Sequence, residues 1–204
     1  MLATILTRIP LVLVPLLPLP DSPRDCQLEV LTPQALEERT LGEFDRQVSA
    51  YVVLHRHLAR SLPPLHMFPV FPDEEGTLVS DELRAALVVV RPQARQGGFF
   101  TPALGELLKR RLDDALLHGA GYAAMPMYEP LPGEPAPTVN QPFPFVLESV
   151  QWPALVRALP VIPRELEYAF WGRDLVLVDV AANLVIDVLP EALLEGSRPG
   201  VLYL

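Results

Sequence analysis

Proline limits where this chain can form regular structure. It removes a backbone donor, blocks helix interiors and is confined to sheet edges, so each stretch between prolines is an upper bound on an element. Of the 24 prolines, Pro63-Pro64, Pro92 and Pro160-Val-Ile-Pro163 act as stops, and seven crowd into Ala120–Pro144. The proline-poor windows between them are therefore the places to look for helices and strands.

Three windows carry helical signals. Over about Thr32 to Leu62, Thr32-Pro33 is a cap followed by a first-turn proline. Phe44, Val48, Tyr51, His55, Leu58 and Leu62 fall in steps of four and three, forming one apolar stripe. Thr40-Leu-Gly-Glu43 has capping-box spacing, which predicts a break near Thr40. Ser80, with Asp81 and Glu82 after it, caps a second helix whose face is Leu83, Ala86, Leu87 and Val90, ending at about Arg91. Val88-Val89-Val90 suits a strand equally well. Thr101-Pro102 starts the third helix, lined by Leu104, Leu107, Leu108, Leu112, Ala115 and Leu116, and Gly119 can close it. Gly97-Gly98 allows a tight turn before it, and lacks the lysine of a phosphate-binding loop.

The last third alternates differently. Leu166, Tyr168 and Phe170 keep a period of two, Gly172-Arg173 turns, Asp174 to Val180 forms a second strand, and Ala181-Ala-Asn183 turns into Leu184 to Leu189. The expected fold is α+β, with about three helices followed by a three-stranded antiparallel meander that the third helix covers. A short helix over Pro153–Leu159 can precede the sheet. The Pro-rich extended connection, 120–148, can wrap the core through Tyr122, Met125, Met127, Tyr128 and Phe143. The organisation is thus 1–25 as signal peptide or apolar arm, 26–119 helical, 120–148 connecting, and 149–204 as the meander packing with 26–119.

Half the residues are hydrophobic and 20% charged, enough apolar content for a sizeable core. A net charge of −9 argues against a nucleic-acid partner. Met1–Pro20 is apolar apart from Arg8, as in a secretory signal, although four prolines interrupt it. The alternative is an uncleaved arm on a cytoplasmic subunit. The same prolines argue against a stable transmembrane anchor.

Ala94-Arg95-Gln96-Gly97 followed by Phe100-Thr101-Pro102-Ala103 is one specific segment. Glu165-Leu-Glu-Tyr168, Gly172-Arg-Asp-Leu175, Asp179-Val-Ala-Ala-Asn183-Leu and Asp187 form another. Together they resemble an uncharacterised family of secreted proteins of GC-rich bacteria. The resemblance implies a signal peptide, a helical middle and a strand-rich end. It brings no activity, so no catalytic residue is carried over.

The chemistry legible in the chain is sparse. His55 and His57 point to different helix faces and cannot share a metal. His55, on the apolar stripe, is expected to bond a backbone carbonyl. His66 and His118 have no partner in sequence, Asp73-Glu-Glu-Gly76 lacks the alternating ligands of a calcium loop, and no G-x-S-x-G elbow exists. The lone Cys26 excludes a disulfide framework. No cofactor or metal is expected. Asp174, Asp179 and Asp187 are the carboxylates to consider for proton or cation chemistry. With Arg173 and Asn183 they serve equally well as turn and edge residues. Arg95 and Gln96 can bind a carboxylate or bridge to the sheet. The expected role is non-catalytic surface recognition of another protein, through a sheet edge or the Pro-rich segment, at the envelope. The alternative is a small enzyme using the meander aspartates.

Overall fold

The computed structural model describes residues 32–62, 80–118, 130, 133–144 and 153–193. The leader at 1–25, Cys26, His66, the acidic run at 73–76, Gly119 and Tyr122 to Tyr128 lie outside the described residues. The elements are helices α1 (Pro33–Ser61), α2 (Asp81–Val90), α3 (Pro102–His118) and α4 (Pro153–Ala158). Strands β1 (Leu166–Trp171), β2 (Asp174–Asp179) and β3 (Leu184–Leu189) follow. The arrangement is α+β, with a short fourth helix beside the expected three.

Helices α1, α2 and α3 start where their caps predict. Thr32 Oγ1 accepts the Ala35 amide at 3.2 Å, Ser80 Oγ accepts that of Leu83 at 3.0 Å, and Thr101 Oγ1 that of Leu104 at 3.4 Å. The break near Thr40 does not occur, and α1 runs unbroken for 29 residues. Thr40 Oγ1 donates to the Leu36 carbonyl at 2.8 Å, back into the preceding turn, so it supplies no cap to a following one. The buried faces are Phe44, Val48, Tyr51, Val52 and His55 on α1, Leu83 and Leu87 on α2, and Leu104, Gly105, Leu107, Leu108 and Leu112 on α3. Among the described residues, no helix is long and apolar enough to cross a membrane.

The strands form an antiparallel sheet in the order β1-β2-β3. One face carries Leu166, Tyr168, Leu175, Leu177, Leu184, Ile186 and Leu189 into a core shared with the helices. At Gly105 the approach of α3 to β3 is close: an added Cβ would stand 2.9 Å from Leu189 Cδ1. The second face is apolar too. Ala169, Trp171, Val176, Val178, Val185 and Val188 cluster there with Phe143 of the Pro-rich connection, whose ring meets Trp171 edge-on at 6.1 Å.

The connection also closes one edge of the sheet. The Asn140 amide donates to Val185 O, and the Val185 amide to Gln141 O, both at 2.9 Å. Asn140 holds a left-handed backbone, φ 63°, which asparagine tolerates better than most residues. β3 departs from regular pairing at one place. Val178 faces Val185 while Leu177 faces Asp187, which makes Ile186 an additional residue, a β-bulge. The bulge brings Asp187 opposite Leu177, on the helix side of the sheet.

Candidate functional site

The bulge decides what Asp187 can do. Strict alternation along Leu184-Val-Ile-Asp-Val188 would send its side chain to the second face. Aimed at the helices, it meets the loop that joins α2 to α3. Oδ2 accepts the amides of Phe99 and Phe100, each at 2.7 Å, and Oδ1 accepts those of Gly97 and Val188, each at 2.8 Å. Four backbone donors surround a carboxylate that is fully buried. Ala94 N to Arg91 O at 3.0 Å, Gly98 N to Arg95 O at 3.2 Å and Thr101 N to Phe99 O at 2.9 Å tie the loop to itself as successive turns. Gly97, at φ 80°, supplies the left-handed residue that these turns need.

Asp179 lies on the same sheet face, at the end of β2, and is also fully buried. Its Oδ1 accepts the Ala182 amide at 3.0 Å, closing the β2–β3 turn. Oδ2 accepts the Tyr51 hydroxyl at 2.6 Å, and Nδ1 of His55 lies 2.5 Å from the same oxygen. The His55 partner is thus a carboxylate and not the backbone carbonyl expected of it. Burial, then the charge and hydrogen bond of Asp179, push the Tyr51 phenol far above its ordinary value, so it stays protonated and remains the donor. The pair fixes the imidazole as base-orienting carboxylates do, but His55 lies on the buried face of α1, so its present work is to clasp α1 to the sheet.

Arg91 sits between the two carboxylates. Its guanidinium stacks over the Tyr51 ring at 5.1 Å and the Phe99 ring at 5.9 Å. It makes long hydrogen bonds of 3.4 Å to Asn140 Oδ1 and to Ile186 O, and Asn140 Nδ2 donates back to Arg91 O at 3.1 Å. Burial draws its pKa down, while Tyr51, Asp187 and Asp179 hold it up. Outside this layer the α2–α3 loop forms a depression of about 380 Å³, lined by Val90, Arg91, Gln93, Arg95, Gly98 and Phe99 among others.

The polar residues of the meander do not converge. Asp174 begins β2 on the opposite face from Asp179, about 17 Å along the strand. Its Oδ1 accepts the Glu191 amide at 2.9 Å. Beside it, Arg173 Nε donates to Leu193 O at 3.0 Å and Arg173 O accepts the Leu193 amide at 3.2 Å, so this pair pins the chain after β3. Asn183 turns the β2–β3 hairpin at φ 44°. Arg95 and Gln96 are exposed, and the amide of the next residue, Gly97, makes the bridge to the sheet. Only Asp179 and Asp187 share a neighbourhood, with Arg91 between them. Among the described residues, no three His, Cys, Asp or Glu side chains gather to hold a metal.

Tyr51, His55, Arg91 and Asn140 are the members that sequence reasoning missed. One signal was available: a buried stripe with polar-tipped Tyr51 and His55 four residues apart needs a polar partner, and Asp179 ends an otherwise apolar strand. Comparisons with protein-family models, curated proteins and solved structures return no match to this chain.

Proposed function

We propose that this chain is a non-catalytic recognition domain, exported to the envelope, which presents a fixed surface to a partner protein. One observation carries the reading: both oxygens of Asp187 are occupied by backbone amides, three of them from the α2–α3 loop. A catalytic carboxylate needs lone pairs facing a substrate. Here the carboxylate instead holds a surface loop in one shape, as recognition loops on rigid scaffolds require. Export rests on the apolar Met1–Pro20 and on the resemblance to secreted bacterial proteins. The outer edge of β1 offers a second contact: beyond the local turn bond from the Leu166 amide to Pro163 O at 2.9 Å, no main-chain hydrogen bond among the described residues reaches it, whereas Asn140 and Gln141 cover β3.

The test is photo-crosslinking of the full chain in its own cells, with the reactive residue at exposed Gln96, together with intact-mass analysis. A discrete protein adduct and a shortened amino terminus are expected. A specific turnover that disappears in Asp179→Asn while the fold survives would replace this reading with the enzyme one.

A further inference from the structure

We infer that the depression on the α2–α3 loop is a carboxylate-binding site that takes an acidic peptide segment of the partner; the inference rests on the recognition reading above. The first ground is charge. The chain carries −9 overall, yet among the described residues two arginines and no carboxylate line this depression. The second is the state of those arginines. Arg56, Arg84 and Arg111 each pair with a carboxylate of the protein, to Glu165, Asp81 and Glu37, and Arg173 approaches Glu191. Arg95 is exposed, and its guanidinium makes no hydrogen bond or ion pair with a described residue. Among the described residues, no carboxylate lies within 4.0 Å of Arg91.

The third ground is preorganisation. Arg95 O is held by the Gly98 amide at 3.2 Å, and Gly97 two residues on is anchored to Asp187. The loop therefore presents Arg95 from a backbone that need not be ordered on binding, which removes an entropic penalty that flexible sites incur. Arginine matches a carboxylate with a two-pronged donor fork, and the neighbouring Val90 and Phe99 give the peptide's aliphatic stems an apolar wall. Asp179 and Asp187 are fully buried, and Arg91 offsets part of their charge. Arg95 therefore supplies the solvent-facing positive charge and Arg91 the fixed floor.

The experiment is a titration of the full chain, labelled with ¹⁵N, with hexaglutamate, its glutamine counterpart and inorganic phosphate. Hexaglutamate is expected to give saturable shifts at the Arg95, Gly98 and Phe99 amides, and the glutamine peptide none. Arg95→Glu is expected to weaken binding about tenfold or more, equivalent to about 1.4 kcal/mol. Arg95→Gln should fall between, and Arg157→Glu, on an exposed face of α4, should leave binding unchanged. Since Arg95 makes no described side-chain contact, these variants should keep the parent melting temperature. Equal binding by Arg95→Glu, shifts confined to other surfaces, or phosphate binding tighter than the peptide would each overturn the inference. A partner that crosslinks from Gln96 equally well in Arg95→Glu would sink the acidic-peptide site and leave the recognition reading standing. Hexaglutamate bound at Arg95 with no protein adduct in cells would do the reverse.

Discussion

Asp179 and Asp187 stand about two positions apart on one sheet face and are equally buried, yet they are held in opposite ways. Among the described residues, the hydrogen bonds that Asp187 accepts all come from backbone amides, of a loop and of its own strand. Asp179 takes one amide and two side chains, Tyr51 and His55, from α1. Backbone N–H groups can only donate. A tyrosine hydroxyl or a neutral imidazole nitrogen can also accept. One carboxylate therefore sits in a site of fixed polarity and the other in a site that can reverse.

That difference is broken most sharply by replacing each aspartate with asparagine. In Asp187→Asn either orientation of the amide points its NH₂ at two backbone donors, so two hydrogen bonds are lost and repulsion replaces them. A loss of about 4 kcal/mol is expected, a large part of the stability of a small domain. In Asp179→Asn the carbonyl oxygen can keep the Ala182 amide while the NH₂ donates to a Tyr51 oxygen and a His55 nitrogen that have turned acceptor. The expected loss is about 2 kcal/mol. Urea unfolding of both variants measures the ranking; equal losses would show that partner type does not matter here.

Tyr51→Phe sharpens the side-chain half alone. The ring still lies beneath the Arg91 guanidinium and meets Phe99 edge-on, and His55 still serves Asp179 Oδ2, so only one hydrogen bond to a charged group goes. About 1 kcal/mol is expected, below Asp179→Asn, because the carboxylate keeps a partner on each oxygen. If the loss in Tyr51→Phe equals that of Asp179→Ala, the tyrosine and not the histidine is the clasp.

The sequence made the architecture legible because caps, periodicity and proline stops are local. Thr32-Pro33, Ser80 and Thr101-Pro102 each mark a helix start through a side chain a few residues from the amides it caps. The pairing of His55 with Asp179 was hidden for the opposite reason: the two are 124 residues apart, and only packing brings α1 onto that end of the sheet. Asp187 was harder still. Its face depends on a bulge at Ile186 that nothing in the alternating run Leu184-Val-Ile-Asp-Val-Leu189 announces, and its partners are amides, which carry no residue identity. Thr40-Leu-Gly-Glu43 misled because a threonine hydroxyl inside a helix has an alternative acceptor in the turn behind it.

Glu165, just before β1, extends the comparison to a carboxylate held chiefly by one exposed side chain, with Arg164 farther off at 3.9 Å. Arg56 holds it below the usual carboxylate range through a hydrogen bond at 2.8 Å, although the arginine side chain is 51% exposed. A depressed carboxyl stabilises the fold above its unfolded-state value and loses that contribution as pH falls through its folded one. The gap in urea midpoint between the parent and Arg56→Ala should therefore be present at neutral pH and close on acidification. Solvent screening keeps it smaller than any effect at Asp179.

Glu167 completes the series as the case that, among the described residues, has no partner to set against burial. It sits half-buried on the second face of β1, and burial alone pushes its carboxyl above the ordinary value. Here the sign reverses. The folded state binds the proton more tightly than the unfolded one, so this residue adds stability at low pH and withdraws it as pH rises past the ordinary carboxylate value. Glu167→Gln should then melt slightly higher than the parent at neutral pH and no differently below the range in which glutamate titrates. Asp187 has four donors, Asp179 three, Glu165 chiefly Arg56, and Glu167 is governed by burial. If Glu167→Gln instead destabilised at neutral pH, donor supply would cease to order these carboxylates, and the contrast between the two buried aspartates would be local to their strands.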